Sequence, residues 1–263
     1  MVKHSKKKLG EKNNSEFVFK YGSIYNEDIA KGSRHLKKAS VEVDIIIAEI
    51  NFLKKYNSSS NLSNGNNNNN KNNNNKTENN EKRELKELTL LINSAVSLLK
   101  NGGSALFFCP YNLISAVIKI APKANLQYKN IIIFEDLSKS KLAGNFFTSD
   151  INIILWLCKK GGKPYFNSAK MPYISPVIKS SFDADFDKYE EKIVLTQKPI
   201  KVYERLLQWF SKINDTVLLP NAAGGTGVIA ALHLKRNWLA FVSSAKEFSK
   251  TKDRIDKFKN INN

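Results

Sequence analysis

Short apolar runs alternating with segments of helical periodicity constrain this chain more than any other feature. Val43 to Ala48 reads Val-Asp-Ile-Ile-Ile-Ala, and such a nearly continuous run suits a strand covered on both faces. Leu85 to Lys100 carries apolar residues at helical spacing, and Asn101-Gly102-Gly103 is expected to stop that helix. Strands are expected at Ser104 to Cys109, Asn130 to Phe134 and Ile151 to Cys158, with a helix at Leu113 to Ile120. Farther on, Val202, Leu206, Leu207 and Phe210 share a helix face, Thr216 to Leu219 reads as a strand, and Val228 to Leu234 as a helix after the turn Gly224-Gly225-Thr226-Gly227. This alternation predicts an α/β fold with a mostly parallel sheet and helices on both faces.

The segments between and around these elements set the domain boundaries. Residues 57–81 are almost entirely Asn, Ser and Lys, and ordering them would cost backbone entropy with no burial in return, so a disordered inserted loop is expected. Residues 1–20 read as a basic flexible tail and 257–263 as a polar one, leaving 21–256 as a single domain. Lys6-Lys7-Lys8 fits a nuclear address, a nucleic-acid arm or a solvated tail. Lys and Arg total 42 against 24 Asp and Glu, a formal charge of +18. Such a field favours phosphate backbones or anionic surfaces and disfavours a basic small-molecule substrate.

Cys109 and Cys158 lie in apolar stretches, which predicts buried free thiols and an intracellular, reducing compartment, with cytoplasm, nucleoid and nucleus all open. His4, His35 and His233 are scattered without partners at metal-ligand spacing, so no metal site is expected. No apolar run approaches the roughly 18 residues a spanning helix needs, so the protein is expected to be soluble, with no membrane partner.

A glycine-rich link between a strand and a helix lets backbone approach a ligand at the carboxyl ends of parallel strands, and Leu218 to Leu232, LLPNAAGGTGVIAAL, has that form. It is preceded by Thr196-Gln197-Lys198-Pro199 and an amphipathic helix. This order resembles the T-Q-K-P motif and cofactor turn of the β-class DNA amino-methyltransferases, whose motif order is circularly permuted. Other segments follow the same order. Ile24-Tyr25-Asn26-Glu27-Asp28-Ile29 resembles the opening N-x-D segment, and Val43 to Ala48 the strand that delivers D-P-P-Y. Lys100-Asn101-Gly102-Gly103-Ser104 is similar to K-P-G-G-S, Asn130 to Glu135 to N-I-I-I-W-E, and Lys235-Arg236-Asn237-Trp238-Leu239 to G-R-N-F-I. The resemblance covers roughly residues 21–256 and implies a Rossmann-like, S-adenosylmethionine-dependent methyltransferase fold.

The residues that resemblance assigns to chemistry depart from the family pattern. D-P-P-Y aligns with Glu49-Ile50-Asn51-Phe52. Glu49 and Asn51 would be the acceptors for the exocyclic amine and Phe52 the ring stacked on a flipped base. Both prolines, which would fix backbone φ, are replaced. On the cofactor side Asp28, Lys198, Gly225 and Thr226 match, but Leu219 and Val242 stand where acids are expected. Losing the hydrogen bonds of a charged acceptor weakens binding on the order of a hundredfold.

The expectation is therefore a catalytically impaired methyltransferase-like protein that binds nucleic acid, most simply double-stranded DNA, or supports an active methyltransferase partner or larger assembly. Its cofactor would be S-adenosylmethionine if active, or none. The alternatives are an active adenine-N6 or cytosine-N4 DNA methyltransferase, and a structural subunit of a nucleic-acid-processing complex. Candidate nucleic-acid contacts are Lys54, Lys55, Lys139, Lys141, Lys159, Lys160 and Lys163, all expected on loops at the pocket side.

Overall fold

The computed structural model describes residues 11–13, 16–50, 70–137, 150–168, 174–181, 193–194 and 197–262. Its strands are β1 (Glu11–Asn13), β2 (Glu16–Phe19), β3 (Gly22–Tyr25), β4 (Val43–Glu49), β5 (Leu99–Cys109), β6 (Leu126–Asp136), β7 (Ile151–Lys159), β8 (Val177–Ser180), β9 (Thr216–Leu219) and β10 (Asn237–Phe241). They form one sheet in the order β1-β2-β3-β10-β9-β4-β5-β7-β6-β8. The central block β3-β10-β9-β4-β5 is parallel throughout, as is the β6–β8 pair. The β1–β2, β2–β3, β5–β7 and β6–β7 pairs are antiparallel, so the sheet is mixed and its parallel character is concentrated at the centre.

Helices cover both faces, and the alternation of strand side chains decides which core each residue enters. Ile45 and Ile47 of β4 pack with Leu106 and Phe108 of β5 against α4 (Ile200–Phe210), α5 (Thr226–His233) and α6 (Ala245–Asn262). Val43, Ile46 and Ala48 face the other way, with Ala105 and Phe107, onto α1 (Ile29–Lys38), α2 (Asn70–Val96) and α3 (Ile114–Ile120). That two-sided burial explains why β4 reads as a continuous apolar run. The four residues assigned to one helix face, Val202, Leu206, Leu207 and Phe210, are all buried on α4.

Four boundaries need correction. The span read as a basic tail contains β1 and β2; β2 pairs with β3, and Phe19 is buried in the core. These strands are too short to produce a readable period. The expected disordered loop is helical from Asn70, because α2, nucleated by apolar residues such as Leu88 and Ile92, can propagate backward at little cost per residue. Helix α2 ends at Val96, and Lys100-Asn101-Gly102-Gly103 is a bulged part of β5, with Gly102 at φ +78°. Finally, α6 runs through the residues read as a polar tail and buries Phe258. Residues 57–69 lie outside the described residues.

Cys109 and Cys158 are buried free thiols. Among the described residues no group of metal-ligating side chains gathers, and no helix is long and apolar enough to cross a membrane.

Candidate functional site

Parallel strands β4 and β9 end beside each other, and their carboxyl ends open onto a cleft lined by Glu49, Gln197, Lys198, Tyr203, Leu219, Asn221, Thr226 and Gly227, among others. Glu49 is the last residue of β4. Its Oε2 is 3.0 Å from the Lys198 ammonium, with only 14% of the Glu49 side chain and 11% of the Lys198 side chain exposed. Its Oε1 accepts a hydrogen bond of 2.8 Å from the Tyr203 hydroxyl. Burial, reinforced by the charge of Glu49 and the hydrogen bond to it, pushes the Tyr203 phenol well above its usual range, which keeps it a donor. The Lys198 ammonium also lies 5.0 Å over the Phe108 ring, and that ring packs against Tyr203. Asn221 completes the frame: its Oδ1 accepts from the Glu49 backbone N–H at 3.0 Å, and its Nδ2 donates to the Glu49 carbonyl.

The Glu49 carboxylate, one of the two acceptors expected for an amine, is thus already hydrogen-bonded within the chain. An incoming amine would have to compete there with a buried ammonium and a phenol. Asn51 and Phe52, the other expected catalytic residues, lie outside the described residues.

Local sequence also accounts for the glycine-rich turn. Gly224 and Gly225 adopt φ of +85° and +72°, a region closed to most side chains, and so bring the chain from β9 into α5 in a few residues. Helix α6 covers this turn. The Gly224 N–H donates to the Thr251 hydroxyl at 3.2 Å, and buried Arg254 donates to the Gly224 carbonyl and to Thr226 Oγ1. Thr226 and Lys198 therefore line one cleft with Glu49, and Gly225 adjoins them. Asp28 does not line it: at the mouth of α1 its Oδ1 accepts from the Lys31 N–H, an ordinary helix cap.

These residues do not fit S-adenosylmethionine well. Val242 is 2% exposed and packed in the core, its N–H donates to the Tyr25 carbonyl, and its carbonyl accepts from Asn26. Leu219 is 3% exposed and lies directly over Gly227, where a Cβ would meet its Cδ2 at 2.7 Å. At both positions, where the resemblance leads to the expectation of an acid, the structure has a packed apolar side chain.

The lysine candidates divide. Lys54, Lys55, Lys139 and Lys141 lie outside the described residues; β6 ends and β7 begins at the cleft end, where the Asp136 N–H donates to the Asp150 carbonyl. Lys159, Lys160 and Lys163 are not at the pocket side. Because β7 runs antiparallel to β5, pairing Ser104 with Cys158, its last residues lie at the opposite end of the sheet from Glu49. There Lys159 Nζ donates to the Val96 and Leu99 carbonyls, closing the end of α2. A reading that takes every strand as parallel puts these three lysines at the wrong pole.

Sequence reasoning missed Tyr203 and Asn221. Tyr203 sits one residue after Val202 on the buried face of α4 and reads as core; Asn221 lies inside the turn already singled out, close to the substituted Leu219. Only the fold brings either to Glu49.

The family model described as DNA methylase, of the N6/N4 type, matches residues 43–252, and the chain belongs to this family, whose members use S-adenosylmethionine. Among solved structures it is similar to M1.HpyAVI in its complex with S-adenosylmethionine, with 23% identity over 89% of this chain and 98% of that one, at a TM-score of 0.65. It is likewise similar to PvuII DNA methyltransferase, cytosine-N4-specific, with 14% identity over 92% and 94% of the two chains and a TM-score of 0.65. TTHA0409 from Thermus thermophilus, complexed with S-adenosyl-L-methionine, is 18% identical over 89% and 93%, at a TM-score of 0.59. These likenesses establish a Rossmann-like methyltransferase fold. No curated protein matches the chain.

Proposed function

We propose that this chain is a catalytically impaired DNA methyltransferase that binds double-stranded DNA and serves as a supporting subunit, its partner an active methyltransferase or a larger assembly. The observation that carries this reading is the binding of both Glu49 carboxylate oxygens by Lys198 and Tyr203 in a cleft where an active site needs them for the amine. Leu219 and Val242 support it, since apolar side chains fill the positions of the cofactor's acidic ligands. DNA would approach the cleft end, with Lys54, Lys55, Lys139 and Lys141 as contacts to its phosphates.

Calorimetric titration with S-adenosylmethionine tests this, with an active family member as control. No binding up to roughly millimolar ligand, a ceiling of about −4 kcal/mol, is the expected outcome. Micromolar binding followed by methyl transfer to duplex DNA would overturn it.

One arrangement favours a second reading, an active adenine-N6 or cytosine-N4 methyltransferase: Glu49, Lys198 and Thr226 still line a single cleft. In that case Glu49→Ala abolishes methyl transfer, and retained activity removes Glu49 from the catalytic role.

A further inference from the structure

The end of the sheet opposite the cleft carries a cationic surface that the proposed DNA approach does not use. There the chain brings together Lys37 and Lys38 at the end of α1, Lys123, Lys129 at the start of β6, and Lys160 and Lys163 just after β7. All six are exposed. Their continuity is structural. The Lys160 N–H donates to the Asn125 carbonyl at 3.0 Å, which ties the 3₁₀ turn bearing Lys123 to the end of β7. The turn at Gly161, Gly162 and Lys163 lies against Asn101 and Gly102, so closely that a Cβ on Gly102 would stand 2.9 Å from the Lys163 carbonyl. Lys37 lies near enough to Lys159 to influence its charge, which joins the α1 end to the same surface.

Acidic residues do little to offset this charge. Asp44 is paired with Lys100 and accepts from the Thr216 N–H, and Asp215 accepts from the Lys212 N–H, which leaves Glu42 as the exposed carboxylate near Lys159. Among the described residues, none of the six lysines forms an ion pair. Rings also lie at this end: Tyr128, next to Lys129 in sequence, is 42% exposed, and Lys212 Nζ lies 4.9 Å over Tyr165. Lysines without acidic partners, spread over a helix end, a 3₁₀ turn, a strand start and the turn after β7, fit a phosphate backbone more closely than an acidic peptide, whose carboxylates are fewer and less regularly spaced.

We propose that this pole is a second nucleic-acid-binding surface, which holds a duplex by its backbone independently of the cleft. Two surfaces at opposite ends of one sheet let a single chain bridge two DNA segments, or retain DNA while the cleft end faces a partner subunit. The inference goes beyond the proposed function and does not depend on whether the cleft is active.

The test is fluorescence anisotropy of a labelled duplex, titrated across a salt series with the full chain. It compares the unaltered protein with the far-end variant K37Q/K38Q/K160Q/K163Q and with K54Q/K55Q/K139Q/K141Q, the lysines proposed to meet DNA at the cleft. The far-end variant should bind about tenfold or more weakly at moderate salt, with the slope of log affinity against log salt reduced by up to about 3.6, since each neutralised phosphate contributes about 0.9. Circular dichroism should show its melting unchanged. Capture of a second labelled duplex by protein already held on an immobilised one should be lost in either variant. Unchanged affinity and slope in the far-end variant would overturn the proposal while leaving the proposed function standing. No duplex binding by the unaltered protein would overturn both. Binding of anionic phospholipid vesicles in preference to duplex would make the surface a membrane contact instead.

Discussion

The two ends of the sheet treat charge in opposite ways. At the cleft end, Glu49 and Lys198 neutralise each other in a largely buried pair, and Tyr203 and Asn221 fix the same group. At the far end, Lys37, Lys38, Lys123, Lys129, Lys160 and Lys163 are exposed to solvent. Charge at the first pole therefore serves the fold, because a buried ion is tolerable only when paired. Charge at the second contributes little to the fold and is available for a polyanion. In an active methyltransferase the cleft end would be the busy one; on the proposed reading, the contrast marks where function has been withdrawn and where it can persist.

The largest effect that would break this comparison is on stability at the cleft. Glu49→Ala leaves the Lys198 ammonium buried without its carboxylate and should cost about 3 to 5 kcal/mol in chemical denaturation. Lys160→Gln at the other pole should stay within about 0.5 kcal/mol. Equal small effects would mean that the Glu49–Lys198 pair is solvated and the cleft open. Val242→Glu places an acid where the resemblance leads to the expectation of one, but within a packed core. We expect a loss of about 2 kcal/mol, since a buried polar group without a partner costs roughly 1 to 3, and no gain in S-adenosylmethionine binding by calorimetry while Leu219 covers Gly227.

Smaller effects come from titrating groups. Burial pushes the Cys109 thiol up to about 12 from an ordinary 9.0, and raises Cys158 as well. Because the folded state keeps the thiol proton that the unfolded chain loses, stability should fall as pH climbs from about 9 toward 12. Ellman's reagent at mildly alkaline pH should leave both thiols unreacted until the protein is unfolded. Smallest is Asp215, at the far end, whose carboxyl is raised by burial, with Asp44 adding to the shift and the Lys212 N–H, Lys100 and Lys212 opposing it. Its contribution is fully present below the ordinary carboxylate range and is lost as pH rises through the raised value. Asp215→Asn should therefore remove this fall with pH and steepen the rise of stability across the acid range, by less than about 1 kcal/mol.

Much of the architecture was legible because local pattern and tertiary role coincide. Val43 to Ala48 is apolar on both sides and lies at the centre of the sheet, and the buried face of α4 repeats at the period expected of it. Where the period is short or polar, the pattern misleads: β1 and β2 read as tail, the start of α2 as disorder, and the last turns of α6 as a second tail. The site was half legible. Glu49, Lys198, Gly225 and Thr226 are found through motif order; Glu49, Lys198 and Thr226 do line one cleft, which Gly225 adjoins, whereas Asp28 caps a helix and Lys159 closes another.

The layered α/β class, the family resemblance and the apolar residues Leu219 and Val242, where that resemblance leads to the expectation of acids, follow from the chain alone, because hydrophobic period and motif order are properties of the chain. Strand direction, and with it the pole at which each lysine stands, emerges only in three dimensions. A strand's apolar run reads the same whether it pairs parallel or antiparallel; the reversal of β7 against β5 carries Lys159, Lys160 and Lys163 to the far end. The partners of Glu49 are fixed in the same way. Residues 149 and 154 positions distant in sequence meet it through the packing of α4 and its preceding loop on the sheet, a contact with no local signal.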